Sequence, residues 1–147
     1  MPQVSKNIDI LLEHITSLLT SKYDLVLFHE LGISYSQYKV LVQFSGNSII
    51  RQKTIAKSLG QTEASISRQL SIMSSNGLIH KSYDPDNRKS IIITLTQKGQ
   101  TIKNSAENII LKENGTSLRK LNTKDLKTLT QSLSKIHDQI CIVKHNY

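Results

Sequence analysis

From Gln61 to Arg68 the chain strings short polar side chains and one guanidinium along what reads as a single helix. With Ile66 facing a core, about 100° per residue turns Ala64, Arg68, Ser71 and Ser75 to the opposite side, with Gln61, Ser65 and Ser67 on the flanks. That face has the chemistry of base-edge readout. Small side chains let a backbone come close, arginine pairs bidentately with guanine O6 and N7, glutamine meets adenine, and alanine touches a thymine methyl. A merely solvated helix would more often carry Glu and Lys at these places.

The charge agrees with a polyanionic partner. In 147 residues there are 19 Lys+Arg and 11 Asp+Glu, a formal net charge of +8. Residues 1–50 hold three basic and four acidic side chains, residues 51–103 nine against three, and residues 104–147 seven against four. The middle third therefore carries most of the excess, and a localised positive field is what a phosphate backbone attracts. One cysteine, Cys141, excludes an internal disulfide framework and a Cys-based zinc finger. No apolar run approaches the ~20 residues of a membrane span, and the charged start MPQVSKNIDILLEHI does not read as a secretory signal. The expectation is a cytoplasmic protein with no membrane partner.

The elements that must position the reading face follow from spacing. Ile8, Leu11, Leu12, Ile15, Leu18 and Leu19 predict a long amphipathic helix that fades between Tyr23 and His29, with Gly32 as its stop. Ser34 and Gln37 form a capping box, and Ile33 with Tyr38 a hydrophobic staple. The second helix so started packs through Tyr38, Leu41, Val42 and Phe44 and ends near Gly46-Asn47. Residues 48–60 read as an extended piece and a small helix with Ile55, Ala56 and Leu59 inward and Gly60 as its stop. A fourth helix starts after Thr62, buries Ile66, Leu70 and Met73, and closes at Gly77. Two extended runs, Ile79–Asp84 and Ser90–Leu95, make a hairpin whose polar loop looks too long for a two-residue turn. After Thr96 a helix runs through Ile102, Ala106, Ile109, Ile110 and Leu111 until Gly115 breaks it. Asn122 and Asp125 start the last helix, with Leu121 placed to staple to Leu126. There Leu126, Leu129, Leu133, Ile136, Ile140 and Val143 recur at an average of 3.5, a heptad seam.

Helix, turn, helix and hairpin inside the most basic third outline a mainly α winged helix-turn-helix fold. IAKSLG, TEASISRQLSIMSSNGLI and DPDNRKSIIITLTQKG together resemble the MarR family of transcription regulators. The most specific part is a D-P-x-D-R-[RK] wing followed by L-T-x-x-G. The resemblance implies a DNA-binding lobe over residues 33–99, with helices of 1–32 and 100–147 joining two copies through Ile8, Leu11, Leu12, Ile15, Leu129, Leu133, Ile136 and Ile140. It further implies that the wing, Asp86, Asn87, Arg88 and Lys89, meets DNA, with Arg88 in the minor groove and Lys89 on a phosphate. Asn87 departs from the Asp that in this family helps hold the wing arginine, a task left to Asp84 or Asp86. Arg51 replaces a Ser or Thr helix cap, and with Lys53 it is expected to face phosphates. The start at Ser34 and Ser36, with its free N–H groups, is a further expected phosphate contact.

The function expected is that of a homodimer on a pseudo-palindromic duplex, regulating transcription, most simply as a repressor. Gln61, Thr62, Ala64, Ser65, Ser67 and Arg68 would choose the sequence. The resemblance implies release by a small aromatic or amphipathic effector bound between the dimerisation helices and the lobe, for which the sequence names no residues. Two other readings keep the fold: an architectural DNA-coating protein, and a protein-interaction adaptor. Cys141 beside the seam reads as a small hydrophobe rather than a redox sensor, and His14, His29, His80, His137 and His145 lack HxxxH spacing. No metal or cofactor is expected. Without a Gly-rich phosphate loop, nucleophile elbow or paired carboxylates, no enzyme is expected either.

Overall fold

A computed structural model of the chain describes residues 7–144, with side chains as far as Cys141; Val143 of the seam lies outside those described side chains. The chain forms two compact units that divide after Ile110.

In the first unit, α1 (Ile8–Leu31) leads to α2 (Tyr35–Leu41), β1 (Ile50–Arg51), α3 (Gln52–Ser58), α4 (Glu63–Ser75), β2 (Ile79–Asp84), β3 (Asn87–Leu95) and the start of α5 (Gln97–Leu118). α1 does not fade at Tyr23. It runs to Leu31 because Tyr23 and Leu27 are buried and Leu19, Val26 and Leu31 pack against the same core. A second apolar stripe, Ile8, Leu11, Ile15, Leu18, Leu25 and Phe28, stays exposed on the same helix. α1 is thus apolar on two faces, and only one is satisfied within the unit.

α2 starts as its capping box dictates: the Ser34 hydroxyl accepts the Gln37 N–H at 3.1 Å, and the Gln37 side chain accepts the Ser34 N–H at 3.0 Å. It stops at Leu41, five residues before Gly46. Short-range bonds, Gln43 N–H to Val40 O and Phe44 N–H to Leu41 O, tighten the chain there and turn Phe44 into the core. The Lys103 ammonium then donates to the Phe44 carbonyl at 2.5 Å, satisfying a group that the early stop exposes.

α3 and α4 both end on a glycine at positive φ, Gly60 at 63° and Gly77 at 70°. In each case the residue after the glycine donates back into the helix, Gln61 N–H to Ala56 O and Leu78 N–H to Met73 O, the Schellman closure that an L side chain would strain. The two glycines therefore fix how α4 leaves α3 and how β2 leaves α4. Ile55 and Ala56 of α3, Ile66, Leu70 and Met73 of α4, and Ile79 and Ile93 of the sheet share one core with Leu41, Phe44, Ala106 and Ile110.

The sheet is antiparallel in the order β1-β3-β2, with Ile50 opposite Ile93 and Arg51 opposite Ile92. The extended piece expected near residue 48 is thus a third strand, beside the hairpin. Thr96, just before α5, donates its hydroxyl to the Gly77 carbonyl at 2.7 Å and accepts the Gly99 N–H at 2.8 Å. This gives the T-x-x-G pattern its physical reason, because a Cβ on Gly99 would lie 2.0 Å from the Leu78 carbonyl oxygen. Gly99→Ala is expected to destabilise the first unit at the upper end of the ~1–3 kcal/mol typical of overpacking. A denaturant midpoint equal to wild type would contradict that packing.

In the second unit α5 passes through Gly115 without a break, since a glycine in an exposed helix with open space around it costs only ~1 kcal/mol. α6 (Thr123–Lys144) starts where Asn122 Oδ1 accepts the Asp125 N–H at 2.9 Å. Its seam residues Leu129, Leu133, Ile136 and Ile140 are all exposed, between 38% and 60%. The second unit thus has an apolar helix face that the single chain leaves uncovered.

Candidate nucleic-acid interface

α4 presents the face that its sequence predicts. The Thr62 hydroxyl accepts the Ser65 N–H at 3.2 Å and fixes where the helix starts. Ile66, Leu70 and Met73 are buried, so Ala64, Arg68, Ser71 and Ser75 are turned to the outside, while Gln61, Ser65 and Ser67 are half-buried on the flanks. The serine hydroxyls are partly engaged: Ser71 donates to the Ser67 carbonyl at 2.9 Å and Ser75 to the Ser71 carbonyl at 3.0 Å. Each keeps acceptor capacity and presents little donor chemistry. Arg68 has neither an ion pair nor a hydrogen bond among the described residues, and its guanidinium is open to a ligand.

Three residues of this surface escaped the sequence reading. Glu63 is exposed in the first turn, the one carboxylate on the face, and Ile72 is exposed farther along α4. Lys81 of β2 reaches back to the Ser71 hydroxyl at 3.2 Å and ties the hairpin to α4. The strict alternation of β2 placed Lys81 on the Ile79 side of the strand, and that was the only available signal.

The wing is tighter at its turn and looser beyond it than expected. β2 and β3 are joined by two residues, Pro85 and Asp86, not by a long loop. The ladder pairs Asp84 with Asn87 but Tyr83 with Ile91, so Arg88, Lys89 and Ser90 stand out as an irregularity of β3. Asn87 Oδ1 accepts the Lys89 N–H at 3.2 Å and shapes this outward bend. Arg88 and Lys89 are exposed, as are Asp86 and Asn87.

Neither carboxylate expected to hold Arg88 pairs with it among the described residues: Asp86 is exposed, and Asp84 is engaged elsewhere. Asp84 is buried; its Oδ2 accepts Arg51 Nε at 3.1 Å and Nη2 at 2.9 Å, and its Oδ1 accepts the Asp86 N–H at 3.0 Å. The Asp86 N–H and the Arg51 guanidinium hold the Asp84 carboxyl below its ordinary value of 3.8, against the opposing effect of burial. Arg88 therefore carries no ion pair among the described residues, and Arg51 is matched by a carboxylate instead of standing ready for phosphate. Because the folded pKa is depressed, this contribution is complete above the unfolded value and disappears as pH falls through the folded one. Asp84→Asn is expected to be less stable than wild type at pH 7, with the gap closing below pH 3.8. Denaturant midpoints measured from pH 7 to pH 2 check this, and parallel curves would contradict it.

The start of α2 is also corrected. Its donors are not free: the Ser34 and Gln37 N–H groups are bonded within the capping box, and the Tyr35 N–H donates to Asp24 Oδ1 at 2.6 Å. The Asp24 carboxylate there opposes a phosphate at Ser34, and in that first turn only Ser36 keeps a backbone donor unengaged among the described residues. Lys53 is exposed on α3. On α6, Cys141 Sγ lies 3.5 Å from His137 Nε2, and His137 Nδ1 lies 3.3 Å from Asp138.

A helix-turn-helix whose second helix shows a small, nearly uncharged face, flanked by a two-stranded wing with a projecting arginine, defines the winged helix-turn-helix class. Residues 33–91 match the model of the MarR family. BldR, a transcriptional regulator from Sulfolobus solfataricus, is 17% identical with a TM-score of 0.83, over 95% of this chain and 99% of that one. CouR, a transcriptional repressor bound to a 23-mer DNA duplex, is 21% identical with a TM-score of 0.82, over 93% and 96%. MepR from S. aureus, in a DNA complex, is 20% identical with a TM-score of 0.78, over 89% and 96%. At these identities the likeness speaks for the fold. No curated protein matches by sequence.

Proposed function

We propose that this chain is a sequence-specific regulator of transcription that acts as a homodimer on a pseudo-palindromic duplex, most simply as a repressor. The observation that carries the reading is a pair of guanidinia unengaged among the described residues, Arg68 at mid-face on α4 and Arg88 on the outward bend of the wing. Leaving two such charges without internal partners is what a surface built to meet DNA requires. Arg68 takes a guanine edge in the major groove, with Gln61, Thr62, Ala64, Ser65 and Ser67 reading bases beside it. Glu63 is placed to accept from a cytosine amine. Arg88 enters the adjoining minor groove, while Lys89, Lys53 and Ser36 contact phosphates and supply affinity without sequence choice. The exposed stripes of α1 and of α6 are each proposed to be covered by a second copy, which sets two reading helices roughly 34 Å apart.

The test is selection of duplexes from a random pool, followed by affinity for the selected site against random DNA at physiological salt. A regulator prefers its site by ~10³ or more. A ratio near one would instead mark an architectural coating protein, and an adaptor would bind no duplex at all. The described helices include none long and apolar enough to cross a membrane.

A further inference from the structure

The Arg51–Asp84 pair joins residues 33 positions apart in sequence, and the Arg51 side chain makes no other hydrogen bond among the described residues. Arg51 is held from two directions. Its backbone pairs with Ile92 of β3, and it is the N-cap residue of α3, where its side chain makes no capping bond. Its side chain then crosses to Asp84, the last residue of β2, whose other oxygen closes the Pro85–Asp86 turn. The carboxylate is 8% exposed and the guanidinium 59%. Two Arg51 donors, Nε and Nη2, converge on one carboxylate oxygen, so two bonds hold the guanidinium edge against Asp84.

We propose that Arg51 is the positioning residue of the wing, anchoring Asp84 to the start of α3 and thereby setting the direction in which Arg88 enters the minor groove. This rests on the reading that Arg88 meets DNA. The geometry favours it over a phosphate contact, because a guanidinium matched by a carboxylate at 2.9 Å attracts a phosphate less than an unpaired one does. Asn87 shapes the bend locally through the Lys89 N–H but supplies no ion pair at the wing tip, and Arg88 to Ser90 leave the strand ladder, so the turn at its base orients the bend as a whole.

The two readings predict opposite signs. If Arg51 served phosphates, Asp84→Ala would release it and remove a negative charge, raising affinity for duplex DNA, and Arg51→Lys would be nearly silent. If Arg51 positions the wing, Asp84→Ala, Arg51→Ala and Arg51→Lys each weaken binding to the selected duplex on the order of tenfold, the range of a coupled pair. The double variant is then no worse than either single one, and Arg88→Ala costs less in the Arg51→Ala background than in wild type. Tighter binding by Asp84→Ala, or an undiminished Arg88→Ala effect in that background, overturns the proposal. A second readout needs no DNA. Backbone amide exchange at Asp86 and along Ser90–Ile92 should quicken in Arg51→Lys, which retains the charge and is not a core change. Unchanged exchange overturns the proposal even if the wild-type chain binds no duplex, an outcome that would separately end the regulatory reading.

Discussion

Leu133→Asp is expected to convert a dimer into single chains and to weaken binding to the selected duplex by ~10³ or more. Leu133 is 39% exposed in the isolated chain, so the substitution takes little from the folded subunit. In the proposed dimer it places a carboxylate in the middle of an apolar seam. Covering what each Leu or Ile of that seam leaves exposed contributes a part of the roughly 1.5–3 kcal/mol of full burial, and an unpaired charge among them is strongly unfavourable. The DNA effect is larger than the lost contacts alone suggest, because a dimer binds its second half-site at high effective concentration, a gain of ~10²–10⁴. Sedimentation velocity gives the mass and circular dichroism checks that the helices persist. A Leu133→Asp protein that remains dimeric would remove α6 from the interface.

Arg68→Ala combined with Arg88→Ala is expected to have the second-largest effect. A bidentate arginine–guanine contact contributes ~1–3 kcal/mol of discrimination, and a symmetric dimer loses it at both half-sites. Arg68→Ala should relax preference at one base position in each half-site, visible when selection is repeated with the variant. Arg88→Ala should weaken binding where the flanking minor groove is narrow. Because the two residues are proposed to enter different grooves, their costs should add to within about 0.5 kcal/mol. Lys53→Ala offers the contrast: a uniform loss across sequences and a shallower salt dependence, as befits a phosphate contact. A base preference unchanged by Arg68→Ala would take α4 out of the reading role.

Local rules made most of this fold legible. The Ser34–Gln37 capping box, the Thr62 cap and the glycines at 60 and 77 mark boundaries through interactions spanning six residues at most, and α2, α3 and α4 start or stop where those residues require. The α4 face was legible for the same reason, since Ile66, Leu70 and Met73 fix its rotation. Errors arose where distant contacts override local preference. α1 outlasts its first apolar stripe because Tyr23 and Leu27 enter a core completed by residues as far away as Ile110. Ala106 and Ile110 of α5 belong to that same core. The wing shows the limit most clearly. Its bend depends on a ladder register that no composition reports, and the Arg51–Asp84 pair exists only once β1 has paired with β3. Arg51 therefore looked like a free charge, and Asp84, with Asp86, like a partner for Arg88.

The most direct measurement is a hydroxyl-radical footprint on the selected duplex, with the mass of the complex determined alongside. Two copies of the chain should protect two dyad-related patches about one helical turn apart, roughly 34 Å. Minor-groove protection should lie beside each patch and be lost in Arg88→Ala. Protection spread evenly along the duplex, or a single patch under one chain, would contradict the account.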